Sequence, residues 1–106
     1  MSKFNIAGIH DINESIKEYR SLPDAVLLDV RTPQEYREGR IPGSKNIPLL
    51  AIRQVEDLVE DKTTPVWIYC YSGERSKKGA KVLRKMGYEN VENIGGIVAY
   101  RGPMEI

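Results

Sequence analysis

Two kinds of hydrophobic pattern alternate along this chain. Continuous apolar runs occur at Ala25 to Val30 and at Val66 to Tyr69. Such runs are typical of strands covered on both faces, as in a parallel sheet. Shorter apolar stretches predict further strands, at Phe4 to Ile6, Lys45 to Ile47 and Val91 to Ile94.

Between these strands, apolar residues recur at helical spacing. They predict helices around Ile12, Ile16 and Tyr19, around Ile52, Val55 and Val59, and around Ala80, Leu83 and Met86, with a short helix opening at Thr32-Pro33. Asp11 is the expected N-cap of the first helix, in a loose capping box with Glu14. Thr32 with Glu35 is expected to cap the second helix, and Gly87 to stop the last. The alternation of strand and helix indicates an α/β domain with a mostly parallel sheet.

Composition narrows the class of protein. With 106 residues, 41% hydrophobic and 29% charged, the chain is expected to form one domain over residues 1–106. A net charge of +1 gives no overall field that attracts nucleic acid or a membrane. The apolar runs are too short to span a bilayer, and the N-terminal residues lack the apolar stretch of a signal peptide. The single cysteine and single histidine exclude an internal disulfide and an ordinary zinc site, so we expect no metal or cofactor and a reducing, cytoplasmic setting.

Cys70 lies where a buried strand ends and the longest predicted helix begins. The free N–H groups and the dipole of a helix's first turn favour negative charge there, which lowers the pKa of a thiol and makes its sulfur a nucleophile. Gly73 allows the loop to curl so that successive N–H groups point inward. Arg75 could stand at the rim as a cation, and Ser76 could cap the helix or donate to the sulfur. We therefore interpret Cys70 as a reactive thiol rather than a small buried hydrophobe.

Other polar residues have structural interpretations beside the functional ones. Asp29 ends the first long run, at the carboxyl end of a strand, where ligands bind in such sheets. It could orient the loop or simply cap the following turn. Arg31 and Glu35 are four residues apart and could pair locally. His10 is expected to be a surface or capping residue, and the basic outer face of the last helix to be solvated surface.

Three ordered motifs resemble those of the single-domain rhodaneses, which are thiosulfate sulfurtransferase-like proteins, and together they cover nearly the whole chain. They are Leu28-Asp29-Val30-Arg31 with Glu35-Tyr36 and then Gly39-Arg40-Ile41-Pro42-Gly43-Ser44 with Asn46-Ile47-Pro48; the loop Cys70-Tyr71-Ser72-Gly73-Glu74-Arg75-Ser76; and Gly95-Gly96 with Gly102-Pro103. The chain departs from the family pattern at Arg40, Ser44 and Tyr100, where the family often has His, Ala and Trp. We expect these three positions to be structural.

The resemblance implies a rhodanese-like α/β fold with an about five-stranded, mostly parallel sheet flanked by helices on both faces. It implies that Cys70 takes a sulfane sulfur from a donor such as thiosulfate, holds it as a persulfide and passes it to cyanide, a small thiol or a protein thiol. The substrate-binding residues it implies are Tyr71, Ser72, Gly73, Glu74, Arg75 and Ser76, with Asp29 and Arg31 behind them. Glu74 places a negative charge in this loop, and we expect it to weaken binding of the thiosulfate dianion.

Two alternatives remain open from the sequence. A persulfide carrier or partner-binding rhodanese module without turnover would keep the same loop. A Cys-dependent phosphatase or arsenate reductase would also use a cysteine, an amide cradle and an arginine. Phosphatase loops, however, usually hold one residue more than the four between Cys70 and Arg75. Because the chain has no second cysteine, any sulfur on Cys70 must leave to another molecule.

Overall fold

The computed structural model describes residues 11–106 and contains four strands in that range. The strands are β1 (Val26–Asp29), β2 (Lys45–Asn46), β3 (Val66–Cys70) and β4 (Val91–Gly96). The α-helices are α1 (Ile12–Arg20), α2 (Pro33–Glu38), α3 (Val55–Leu58) and α4 (Glu74–Lys85), and 3-10 turns cover Leu49–Gln54 and Ile97–Ala99. The strand predicted at Phe4 to Ile6 and the residue His10 lie outside the described residues. None of the helices described is both long and apolar enough to cross a membrane.

The four strands form one parallel sheet in the order β2-β1-β3-β4. Leu28 of β1 lies opposite Ile68 of β3, and Cys70 at the end of β3 lies opposite Gly96 of β4. The prediction of a parallel sheet is confirmed. Because β1 and β3 are neighbours and run in the same direction, Asp29 and Cys70 end at the same edge of the sheet.

Helices cover both faces of the sheet, as predicted. Along β3, Val66, Ile68 and Cys70 face the side packed by α3 and α4, whereas Trp67 and Tyr69 face the side packed by α1. All five residues of β3 are buried. Burial on both faces explains why this strand reads as a continuous apolar run rather than as an alternating one.

Helix α4 begins and ends at glycines that adopt positive φ. Gly73 is its N-cap with φ 102°, and Gly87 follows its C-cap with φ 103°. The Gly87 amide donates to the Arg84 carbonyl at 3.0 Å and the Tyr88 amide to the Leu83 carbonyl at 3.1 Å. This pair of bonds is a Schellman motif, which confirms the predicted stop. A side chain at Gly79 would meet Ile68 Cδ1 at 2.8 Å, so that glycine lets α4 pack closely on β3.

The helix predicted around Ile52, Val55 and Val59 is different in the structure. A 3-10 turn covers Leu49–Gln54 and leads into the single α-turn α3. Ile52 and Val55 are buried and Leu49 is half-buried. Their spacing of three residues matches the three residues per turn of a 3-10 helix, which puts all three on one side.

Capping follows the predictions in part. The Glu35 amide donates to Thr32 Oγ1 at 3.2 Å and the Thr32 amide donates back to Glu35 Oε1 at 2.9 Å, a complete capping box for α2. At α1, Asp11 is the N-cap, and its carboxylate accepts from the Asn13 amide at 2.9 Å. The loose capping box predicted between Asp11 and Glu14 was wrong, because Asn13 takes that place.

Candidate active site

The sulfur of Cys70 lies inside a ring of hydrogen-bond donors. The Gly73 amide lies 3.0 Å from Sγ, the Ser76 amide 3.3 Å and the Ser76 hydroxyl 3.4 Å. Gly73 turns the chain with positive φ, and Ser76 lies in the first turn of α4, so the loop and the helix start both aim N–H groups at one atom. This is the cradle that the sequence predicted.

These donors change the protonation of the thiol. Cys70 is only 1% exposed, and burial by itself raises the pKa of a thiol. Hydrogen bonds from the Ser76 hydroxyl and from the amides of Ser76, Gly73 and Arg75 outweigh that cost, and the pKa of Cys70 lies below its ordinary value. The thiolate is therefore favoured by neutral dipoles rather than by a cation in contact with it.

The loop fits because β4 ends in two glycines. A Cβ at Gly96 would collide with the Tyr71 carbonyl oxygen and lie 2.5 Å from Ser72 Cα. The same Tyr71 carbonyl accepts from the Val98 amide at 3.1 Å. The close approach accounts for Gly96, whereas Gly95 adopts a positive φ of 104°, which favours glycine.

The Arg75 side chain forms a two-point ion pair with Glu35 of α2. Its Nη1 lies 2.7 Å from Oε1 and its Nη2 3.0 Å from Oε2. The guanidinium lowers the pKa of Glu35 to about 2. The Arg75 guanidinium is thus fixed by Glu35, and the suggested local pair of Glu35 with Arg31 was wrong. The pair with Arg75 instead ties α2 to the loop across 40 positions of sequence.

Asp29 and Arg31 form a second, fully buried pair. Asp29 accepts from the Arg31 amide at 2.8 Å and from the guanidinium at 2.8 to 3.1 Å, and Arg31 Nη2 also donates to the Gly39 carbonyl at 2.7 Å. Their exposed fractions are 0% and 5%. The Asp29 side chain thus fixes the turn that follows β1, which agrees with the structural interpretation, and it has no direct bond to the Cys70 loop among the hydrogen bonds of residues 11–106.

Asn93 of β4 supports the loop and was missed from the sequence. Its Nδ2 donates to the Gly73 carbonyl at 3.3 Å, and its Oδ1 accepts from the Gly95 amide at 3.1 Å and from the Ser76 hydroxyl at 2.7 Å. The Ser76 hydroxyl has one hydrogen and lies near three acceptors, namely Asn93 Oδ1, the Gly73 carbonyl and Cys70 Sγ. No local pattern marks this role of Asn93, because its partners in the loop and in α4, Gly73 and Ser76, lie 20 and 17 positions away.

A cleft of about 420 Å³ opens beside the loop. It is lined by Arg31, Glu35, Glu38, Gly39, Tyr71, Ile97, Val98 and Met104. The side chain of Tyr71 is half exposed at its edge. Glu74, by contrast, is exposed at the first position of α4 and lines a separate surface depression with Lys77, Lys78, Lys81 and Arg84. Among residues 11–106 no group of three potential metal-ligating side chains comes together.

Comparison with known proteins places this geometry in a family. The sequence profile of the rhodanese-like domain matches residues 12–102. The chain belongs to the rhodanese-like domain family. It is 38% identical over 71 residues to thiosulfate sulfurtransferase PspE of Escherichia coli, a match that covers 66% of this chain and 68% of that protein.

Other rhodanese relatives differ in size. The structure of a rhodanese with anions from E. coli superposes with a TM-score of 0.72 at 34% identity and covers 76% of this chain and 96% of that one. A tRNA uridine(34) hydroxylase of Hamiltonella defensa is 34% identical over 97 residues, but the match spans only 26% of its length. The rhodanese-like domain therefore occurs both in small sulfurtransferases and within longer proteins of other names.

The three departures from the rhodanese pattern have structural contacts, as expected. The Arg40 guanidinium pairs with Glu105 at 3.3 Å. The Ser44 hydroxyl accepts from the buried Tyr69 hydroxyl at 3.2 Å, and the Tyr100 hydroxyl donates to the Pro103 carbonyl at 3.0 Å. None of these three side chains lines the cleft beside the loop.

Proposed function

We propose that this protein is a sulfurtransferase that moves a sulfane sulfur from a donor such as thiosulfate to a thiophilic acceptor through a persulfide on Cys70. The observation that carries the proposal is the ring of donors around one buried sulfur, with Gly73 N at 3.0 Å and Ser76 N at 3.3 Å. A ring of this size suits one sulfur atom. Membership of a family that includes a thiosulfate sulfurtransferase supports the same reaction class.

The first half-reaction loads the cysteine. The Cys70 thiolate attacks the sulfane sulfur of thiosulfate, a new S–S bond forms, and sulfite leaves with the electron pair of the bond that breaks. The nucleophile has a lowered pKa, so its thiolate fraction at a given pH is larger than that of an ordinary cysteine. The negative charge of the persulfide then interacts with the same N–H groups that held the thiolate.

The second half-reaction removes the added sulfur from Cys70. An acceptor, cyanide or a thiol, attacks the outer sulfur, and Cys70 leaves as a thiolate into its ring of donors. No second cysteine is present in the chain to take the sulfur, so the acceptor is an external molecule. We propose no cofactor, and we propose a reducing compartment such as the cytoplasm, where a lone thiol stays reduced.

The test is an intact mass measured after treatment with sulfane donors, first thiosulfate and then an alkyl persulfide. We expect a gain of one sulfur atom that a reductant reverses and that Cys70→Ser lacks. Addition of cyanide should remove the added sulfur and yield thiocyanate over many cycles. A stable gain of sulfur with no turnover would instead identify a carrier module, and no gain with either donor would contradict the proposal.

The geometry argues against phosphate chemistry. In the phosphatases considered above, an arginine binds the oxyanion. Here Nη1 and Nη2 of Arg75 each donate to the Glu35 carboxylate instead. A generic aryl phosphate provides the control, since we expect no hydrolysis under conditions in which Cys70 accepts sulfur.

A further inference from the structure

The wall of the cleft beside the loop is largely apolar. Ile97, Val98 and Met104 face it together with Tyr71. Val98 is 60% exposed, Tyr71 50% and Met104 48%, so three large and mostly apolar side chains meet water around one cleft beside the reactive loop. Clustered exposed apolar side chains at a concave site are typical of a surface that covers an apolar ligand.

The two arginines near this cleft are already neutralised. Arg31 binds Asp29 through three hydrogen bonds of 2.8 to 3.1 Å from its guanidinium, and Arg75 binds Glu35 through two of 2.7 and 3.0 Å. An arginine held by a carboxylate at two points offers little to a second anion. An anionic group entering the cleft would therefore lose its hydration without gaining a free cation.

One carboxylate in the cleft lacks a cation. Glu38 accepts a hydrogen bond from Gln34 at 3.2 Å, and none of residues 11–106 places a cationic group within ion-pair distance of it. Asp29 with Arg31 and Glu35 with Arg75 each sum to zero charge. The lining of the cleft therefore has an excess negative charge, and that charge comes from Glu38.

We infer that the cleft selects a small acceptor thiol with an apolar body and a cationic rather than an anionic end. The apolar body would lie against Tyr71, Val98 and Met104, and a cationic end such as an ammonium would lie near Glu38. This inference rests on the proposed function and specifies its acceptor. It also assigns charge discrimination to Glu38, whereas Glu74 lines the basic depression on α4.

The chemical step is a thiol exchange. The acceptor thiol gives its proton to the outer sulfur of the persulfide anion, the resulting acceptor thiolate attacks that sulfur, a new S–S bond forms, and the bond to Cys70 breaks. The proton stays on the transferred sulfur, which leaves as part of an organic persulfide, and the electron pair returns to Cys70 as a thiolate. Charge is conserved, and no external oxidant or reductant is needed.

The test separates acceptor choice from loading. The protein is first loaded with an excess of polysulfide, and the added sulfur on Cys70 is verified by intact mass. Loss of that sulfur is then timed in single turnovers with cysteamine, 2-mercaptoethanol and 3-mercaptopropionate, with each rate corrected for its thiolate fraction. We expect cysteamine to be fastest and 3-mercaptopropionate slowest, with roughly a tenfold difference between them, as one charge contact at a partly solvated site produces.

Charge variants supply the decisive comparison. Glu38→Lys should reverse the order of cysteamine and 3-mercaptopropionate, and Glu38→Gln should bring their rates together. Glu14→Gln, which removes another exposed carboxylate, on α1, should leave the order unchanged. Loading of Cys70 followed by equal rates with the three thiols in the unmodified protein, or by an order that Glu38→Lys leaves unchanged, would overturn this inference while the sulfurtransferase proposal stands. Failure to load would contradict the sulfurtransferase proposal itself.

Discussion

Two acidic groups lie at the same edge of the sheet, and the structure stabilises their charged forms in different ways. The Asp29 carboxylate at the end of β1 is held by the Arg31 guanidinium at 2.8 Å and is fully buried. The sulfur of Cys70 at the end of β3 is held by amides and a hydroxyl at 3.0 to 3.4 Å. A carboxylate in direct contact with a counter-ion is fixed in place. A sulfur held only by neutral dipoles stays available to form and break bonds. The comparison explains why one strand end is structural and the other is suited to chemistry.

Asp29→Ala tests the buried ion pair at the end of β1 and has the largest expected effect. It leaves the guanidinium of Arg31 buried without its counter-ion, which costs about 3–5 kcal/mol of unfolding free energy. Urea unfolding followed by fluorescence of the buried Trp67 measures that change. The double variant Asp29→Leu with Arg31→Met removes both charges and should be clearly more stable than Asp29→Ala. Equal losses in both variants would mean that shape rather than charge pairing matters there.

Gly96→Ala tests the donors around Cys70 at the end of β3 by displacing the loop that follows Cys70. Its Cβ would collide with the Tyr71 carbonyl, so the loop must move and the amides of Gly73 and Ser76 leave the sulfur. We expect a loss of about 1–3 kcal/mol in stability, as for overpacking, together with much slower alkylation of Cys70 at neutral pH. Gly87→Ala is the matched control, because it strains a positive φ with no atom within 4 Å of the new Cβ. It should lower stability while leaving the alkylation rate at Cys70 unchanged.

Ser76→Ala sharpens the comparison by removing one neutral donor. The Ser76 hydroxyl helps to lower the pKa of Cys70, so its loss should raise that pKa. The pH profile of alkylation by iodoacetamide should move to higher pH by about one unit, the lower end of what one hydrogen bond to a charged group contributes. The Ser76 amide remains in place, so a partial shift is expected. An unchanged profile would show that the hydroxyl bonds only to Asn93.

Glu35→Gln tests the ion pair between Glu35 and Arg75, whose side chains are about one-third exposed. It has the smallest expected effect. The pKa of Glu35 is about 2 in the folded protein against an ordinary value of 4.5, so the ion pair with Arg75 stabilises the fold fully above pH 4.5 and loses that contribution as the pH falls toward 2. Solvent screening limits the contribution to about 1 kcal/mol or less. The stability difference between Glu35→Gln and the unmodified protein should therefore shrink between pH 7 and pH 3. A constant difference would contradict a role of the charge.

Much of this structure could be predicted from local sequence. The buried runs gave β1 and β3, the Thr32–Glu35 capping box gave the start of α2, and Cys70 with Gly73 gave the cradle. These features depend on residues within a few positions of one another, where pattern and propensity are informative.

What could not be predicted depends on long-range contacts. Glu35 was interpreted as a capping residue with a possible local partner, and it does cap α2, but its second bond reaches Arg75 across 40 positions. Asn93 gains its role only when β4 is placed beside β3. The 3-10 turn at Leu49–Gln54 replaced a regular helix because its spacing of three suits both conformations, and packing against the sheet decides between them.

The burial of Cys70 has a consequence for how the protein meets its own copies. A disulfide between two chains requires Cβ atoms about 4 Å apart, and at 1% exposure the Cys70 residues of two folded molecules cannot approach so closely. Small molecules are therefore expected to reach this thiol in the folded state more readily than the cysteine of a second copy. The protein is expected to remain free of covalent dimers in air, even though its one cysteine is also its most nucleophilic group.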